Sequence, residues 1–280
     1  MSDGDQQKLD EEIQAELERI ARDVLEWEEA SGNEQGHRAH WKPRTDKEHF
    51  STDGDHRIVP LDQQRYHDLQ LSRGACIPQS PNGQWRFPDP SEGTGIHYEI
   101  NQERWAHLAS HFKIDKKMSI MEIGVRTAHF LYFLKSKGYE QVSGIDCVRL
   151  NVLLCQKNGF EVSMVDAHEL AAAFDAESKD VICMYHCLEH CHSPGKALAG
   201  CFDVLRRGGG LHLEIPLQEN TDLATAHCYA FQPKELKQML TAQGFILRGY
   251  LKKKTMERVV AIKPSSNKKS FLAKFLKRSS

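Results

Sequence analysis

The sequence predicts a doubly wound α/β fold, a mainly parallel seven-stranded sheet with helices on both faces. Three observations carry this. Apolar runs at Met118 to Ile123, Val142 to Cys147, Val162 to Val165, Val181 to Tyr185 and Leu211 to Ile215 are separated by helix-like stretches, the pattern of parallel strands joined by helical crossovers. Two further runs, Ile246 to Leu251 and Val259 to Ile262, lie so close that only a hairpin can join them, so the sheet should end antiparallel. Acidic residues and glycines fall just after the runs, where an open sheet of this kind holds its ligand. A chain of 280 residues, 40% apolar and 27% charged, has room for one such domain with additions.

The additions are chemically distinct. Residues 1–35 hold twelve acidic and three basic side chains, whereas 263–280 hold six basic and no acidic ones. Leu9, Ile13, Leu17, Ile20 and Val24 recur at spacings of three and four, which predicts an amphipathic helix over 1–32 that needs a surface to dock on. Residues 33–97 contain six of the ten prolines and read as an irregular arm or lid. The regular domain spans 98–264, with a helix from Pro233 to Gln243 between the fifth strand and the hairpin. In the tail, 265–280, Phe271, Leu272, Phe275 and Leu276 face away from Lys274, Lys277 and Arg278 on a short helix, the pattern of an interfacial anchor for anionic lipid. An acidic start without an apolar leader predicts a cytoplasmic chain, peripheral at the inner membrane surface if the tail anchors it. Eight cysteines read as free thiols of a reducing compartment. The balance of 37 basic and 39 acidic residues gives no global push toward nucleic acid.

Met121-Glu122-Ile123-Gly124 leads from the first strand into a helix, and Asp146 ends the second, at the spacing where a carboxylate accepts hydrogen bonds from a ribose. Asp166-Ala167-His168 follows the third strand and Leu188-Glu189-His190 the fourth. Leu205-Arg206-Arg207-Gly208-Gly209-Gly210 reads as the turn from a helix into the fifth strand, Leu213-Glu214-Ile215-Pro216. Together with Ala230-Phe231-Gln232-Pro233-Lys234-Glu235-Leu236 and Gly244-Phe245, these residues resemble the class I S-adenosylmethionine-dependent methyltransferases, especially the small-molecule type related to the ubiquinone-pathway O-methyltransferases. The likeness covers about Tyr98 to Pro264 and implies a Rossmann-like fold with S-adenosylmethionine as cofactor. It also implies that Glu122 and Gly124 lie against the methionine part, Asp146 holds the ribose, and Asp166 with Ala167 sits by the adenine.

The glycine loop departs from that family, because its second and third glycines are Arg126 and Ala128. Glycine lets backbone approach a ligand closely. Arg126 must therefore turn outward, grip the cofactor carboxylate through its guanidinium fork, or fill the pocket. The densest cluster of chemical groups is Cys183, His186, Cys187, Glu189, His190, Cys191 and His192. No second Cys-x-x-Cys pair completes a tetrahedral shell, so no metal site is expected. His186 or His190 is instead the candidate catalytic base, with Glu189 to orient it, since an ordinary imidazole titrates near neutrality. His227, Tyr229 and Phe231 are second-rank candidates for lining the acceptor.

The resulting expectation is methyl transfer from S-adenosylmethionine to a small-molecule or lipid-linked acceptor, a quinone precursor or a glycan. A protein partner could dock on the N-terminal helix. No specific nucleic-acid substrate is expected, because Tyr185-His186-Cys187-Leu188 stands where amino-methylating nucleic-acid enzymes carry Asn/Asp-Pro-Pro-Tyr/Phe. The rival is a non-catalytic scaffold that keeps the fold and has lost the cofactor site to Arg126. A nicotinamide dehydrogenase is disfavoured by the missing Gly-x-Gly-x-x-Gly.

Overall fold

The computed structural model describes residues 2–31, 96–191, 193–217, 231 and 234–265. The basic tail, most of the arm, His192, His227 and Tyr229 lie outside the described residues. In chain order the elements are α1 (Asp3–Ser31), α2 (Ile96–His111), β1 (Ile120–Ile123), α3 (His129–Ser136), β2 (Val142–Asp146), α4 (Arg149–Lys157), β3 (Glu161–Met164), α5 (Leu170–Ala173), β4 (Lys179–Tyr185), α6 (Pro194–Val204), β5 (Leu205–Pro216), α7 (Glu235–Ala242), β6 (Ile246–Lys252) and β7 (Met256–Ile262).

The seven strands form one sheet in the order β3-β2-β1-β4-β5-β7-β6. Strands β1 to β5 pair in parallel, while β7 runs antiparallel to both β5 and β6. Central strands buried on both faces need apolar side chains in both alternating positions, which is why β1 is apolar apart from Glu122 and β4 is apolar from Val181 to Tyr185. On one face Ile120, Val142, Val181 and Val260 pack against Leu108 of α2, Phe130, Phe133 and Leu134 of α3, and Val152 of α4. On the other, Met121, Ile123, Ile182, Leu211 and Leu213 pack against Leu170, Leu198, Cys201, Leu236 and Leu240. The chain order reverses between β1 and β4, and a ligand crevice opens at the carboxyl ends of such strands.

One expectation is corrected and another is made specific. The fifth strand begins at Leu205, not Leu211, so the Arg206 to Gly210 stretch lies within the strand instead of forming a turn before it. A bulge makes this possible: Lys179 pairs with Leu205 and Val181 with Gly210. Gly208 takes the extra turn at a φ of 79°, and a Cβ on Gly209 would sit 2.9 Å from the Asp180 carbonyl oxygen. Second, the surface that the N-terminal stripe needs is the chain's own α4. Ile13 and Leu17, with Leu9 at their edge, form a small core with Val148, Leu150, Leu153 and Leu154.

Candidate active site

Gly124, Arg126 and Ala128 all have left-handed backbone, with φ of 77°, 47° and 58°. Only glycine adopts this region freely; for other residues it costs about 1 to 2 kcal/mol each. The loop therefore keeps a glycine-loop path at two positions that carry side chains, a strain of the kind that collects at ligand sites. The close neighbour of Gly124 is Cys187, whose Sγ would lie 2.7 Å from a Cβ there. Contact with the Cys191 thiol, together with burial, pushes the Cys187 thiol well above a free thiol's value, which leaves it a packing group instead of a nucleophile.

Asp146 is fixed from two sides. The Arg126 N–H donates to its Oδ2 at 2.9 Å and the Val148 N–H to its Oδ1 at 2.8 Å. The Asn151 side chain donates to the same carboxylate, which keeps acceptor capacity for a hydroxyl. Burial raises the carboxyl's pKa, opposed by those two N–H donors, the Asn151 side chain and the charge of Arg126. The Arg126 side chain is exposed. Glu122, near the end of β1, is buried, and its Oε2 has no hydrogen-bond partner among the described residues. Burial pushes its carboxyl well above the usual range. A cation arriving there, such as the ammonium of a bound amino acid, would return it to the charged form. After β3, Asp166 Oδ1 accepts from the His168 N–H at 2.8 Å and from the ring Nδ1. Ser193 N–H donates to His168 Nε2 at 3.2 Å, which assigns the ring proton to Nδ1. Ala167 beside it is buried.

Beyond β4 the site changes character. His186 has a φ of 49°; its Nε2 lies 3.0 Å from Glu214 Oε1 and its Nδ1 3.5 Å from Glu189 Oε1. Burial alone would depress the ring's pKa, but Glu189 and Glu214 overcome it and raise it to about 9. The imidazole is held protonated at neutral pH, so the base role expected of it requires a more alkaline medium. Glu189 is buried, and among the described residues the charge its carboxylate faces is the His186 ring. His190 is half-buried, and its backbone N–H donates to the Cys187 carbonyl oxygen at 3.0 Å. Phe231 is buried in the core, which removes it from the acceptor lining.

Sequence reasoning missed what holds Glu214. Arg104 of α2 donates from Nε at 3.0 Å to Oε1, and Arg258 of β7 from Nε at 2.6 Å to Oε2. His186 and the arginines hold the Glu214 carboxyl far below the usual carboxylate range, although burial acts the other way. Beside it runs a ring chain: Tyr185 Oη lies 2.8 Å from His212 Nδ1, and His212 Nε2 lies 3.1 Å from His107 Nδ1. Burial lowers both imidazoles, His107 to about 4. The overlooked signal was alternation, because His212 and Glu214 share one face of a strand with neighbours on both sides, and Arg258 directly precedes the apolar run of β7.

A topological switch point between β1 and β4, a carboxylate at the end of β2 and a strained glycine-loop path are the features of a nucleotide-cofactor enzyme of the α/β class. The chain belongs to a methyltransferase-domain family, whose model matches residues 97–248. That membership makes it a methyltransferase. The [4+2]-cyclase SpnF has a similar structure at 13% identity, with 75% of this chain and 99% of that one covered and a TM-score of 0.55. An S-adenosylmethionine-dependent methyltransferase from Archaeoglobus fulgidus is similar at 16% identity, 62% and 97% coverage and a TM-score of 0.51. So is the Haloferax volcanii complex of the Trm112 methyltransferase activator with a methyltransferase, at 13% identity, 65% and 99% coverage and a TM-score of 0.51. These likenesses concern the fold, which hosts more than one chemistry. No curated protein gives a significant match.

Proposed function

We propose that this chain transfers a methyl group to a small-molecule or lipid-linked acceptor that presents an acidic oxygen, of the phenolic quinone-precursor type. The observation that carries the proposal is the half-exposed His186 imidazolium at the end of β4, set between Glu189 and Glu214. When bound, S-adenosylmethionine supplies a sulfonium-activated methyl group. Glu122 is suited to the cofactor's ammonium, Asp146 to its ribose and Asp166 with Ala167 to its adenine. The protein's remaining work is alignment.

A charged imidazole takes no proton at neutral pH but attracts an anion. A carboxylic acid arrives ionised; a phenol, with an ordinary pKa of about 10, gives its proton to solvent before transfer, and the imidazolium favours that ionisation by its charge and holds the oxygen in line with the methyl. A glycan hydroxyl is a far weaker acid and would need a base there, which favours the phenolic acceptor over the glycan. Glu189 acts as a positioning residue for the ring, and His190 stands second as an acceptor contact. The test is the pH dependence of transfer to phenolic and alcoholic model acceptors. Phenol transfer should require the protonated ring and fall as pH rises through about 9; a rate that rises through that range instead would overturn the reading.

Attachment to anionic lipid through the basic tail, at the inner face of the cytoplasmic membrane, belongs to the same proposal, supported by the five basic residues after Pro264; Lys263 is buried and donates to the Leu205 carbonyl oxygen. It is tested by salt-sensitive sedimentation with anionic vesicles, which a chain ending at Pro264 should lose. A protein partner, by analogy with the Trm112 complex, would meet the exposed face of α1 at Gln7, Glu11, Gln14 and Glu18, since the apolar stripe is already covered.

A further inference from the structure

Helix α1 lies outside the matched family domain, which begins at residue 97, yet it shares an apolar cluster with Val148 of the turn that follows Asp146. Two features place it there. The apolar stripe Ile13 and Leu17 packs in one cluster with Val148, Leu150, Leu153 and Leu154, and Val148 is buried. Ion pairs then set the direction. Asp10 meets Lys157 at the end of α4, while Glu12 meets Arg149 at its beginning at 2.8 Å, with Glu16 Oε2 3.9 Å from the same guanidinium. The two helices are therefore antiparallel. Beyond Glu16, α1 runs on to Ser31, about 20 Å at 1.5 Å per residue, past the first residue of α4 and toward the strand edge where Asp146 sits.

Val148 joins the two systems. Its backbone N–H donates to Asp146 Oδ1 at 2.8 Å, and its side chain belongs to the cluster that α1 completes. Between them Cys147 is exposed, so the turn has no cover of its own at that residue. If α1 departs, Val148 loses apolar neighbours, and the donor that fixes one oxygen of Asp146 is freed to move.

We propose that α1 is part of the cofactor-binding machinery, and that its docking on α4 and the occupancy of the nucleotide site are thermodynamically linked. Ile13 and Leu17 act as positioning residues through Val148. The inference rests on S-adenosylmethionine being the ligand of Asp146. Linkage is reciprocal: whatever factor the docked helix contributes to cofactor affinity, the bound cofactor contributes to docking.

The experiment uses the full chain with S-adenosylhomocysteine as probe. Calorimetry should show the Ile13→Ala/Leu17→Ala variant binding about 5- to 10-fold more weakly than the unaltered protein. Glu12→Gln, which removes only an exposed ion pair and leaves the core intact, should shift the affinity in the same direction by less. Amide hydrogen exchange supplies the readout that a merely structural helix would not move. Saturating ligand should slow exchange across α1 in the unaltered chain, by the factor that the double variant loses in affinity. Binding by the unaltered chain with no slowing in α1, or a double variant within twofold in affinity, would refute the coupling alone. No binding by the unaltered chain at millimolar probe would instead refute the cofactor assignment, and the coupling with it.

Discussion

The charge on His186 gives the sharpest test of the site's electrostatics. The perturbation is His186→Asn, which keeps a polar side chain that tolerates left-handed backbone and removes the titration. The ring's pKa is raised from 6.5 to about 9 by Glu189 and Glu214 against its own burial. The folded state thus holds the proton more tightly than the unfolded chain. The stabilisation is complete below pH 6.5 and is lost as pH rises through about 9. At 1.36 kcal/mol for each tenfold change in proton affinity, the full effect is about 3 kcal/mol. The ring is 48% exposed, however, and solvent screening reduces this to about 1 kcal/mol. Urea unfolding of both proteins at pH 6 and pH 10 isolates it, because other titrating groups are common to the pair and cancel. The unaltered protein should lose about 1 kcal/mol more than the variant between these conditions. Equal losses, or an NMR titration placing the ring at or below 6.5, would refute the arrangement.

Three further outcomes follow from the same geometry. Asp146→Ala should weaken S-adenosylhomocysteine binding by about 1.5 to 3 kcal/mol, the scale for losing hydrogen bonds to a charged group; calorimetry giving an unchanged affinity would remove Asp146 from the ribose site. Arg126→Gly should relieve the left-handed strain at φ 47° and raise stability in urea by up to about 1 kcal/mol, since glycine's greater freedom in the unfolded chain offsets part of the relief. The same variant should bind the probe more weakly if the guanidinium grips the cofactor carboxylate, whereas tighter binding would mark the side chain as an obstruction. Glu214→Gln leaves Arg104 and Arg258 facing a neutral amide in a buried site and should cost about 3 to 5 kcal/mol in urea unfolding, with a loss under 1 kcal/mol counting against a buried ion cluster.

The sequence by itself determined the sheet, because the code for a parallel strand buried on both faces is local: a short apolar run between helix-like stretches survives without knowledge of its neighbours. The strand-end positions Glu122, Gly124, Asp146 and Asp166 were legible for the same reason, since each stands within two residues of its strand's end. The start of β5 was misplaced because the Arg206 to Gly210 stretch has turn composition, and only pairing with β4 through a bulge holds it in the sheet. What only the tertiary structure decided is charge. Glu214 meets Arg104 and Arg258 across 110 and 44 positions of chain, and no local pattern encodes such a meeting. That cluster helps set the protonation of His186, so a residue readable in the sequence as a base emerges as a cation. Likewise the amphipathy of α1 announced that it would dock, but its place on α4 beside Val148 required the fold to bring residues 13 and 148 together.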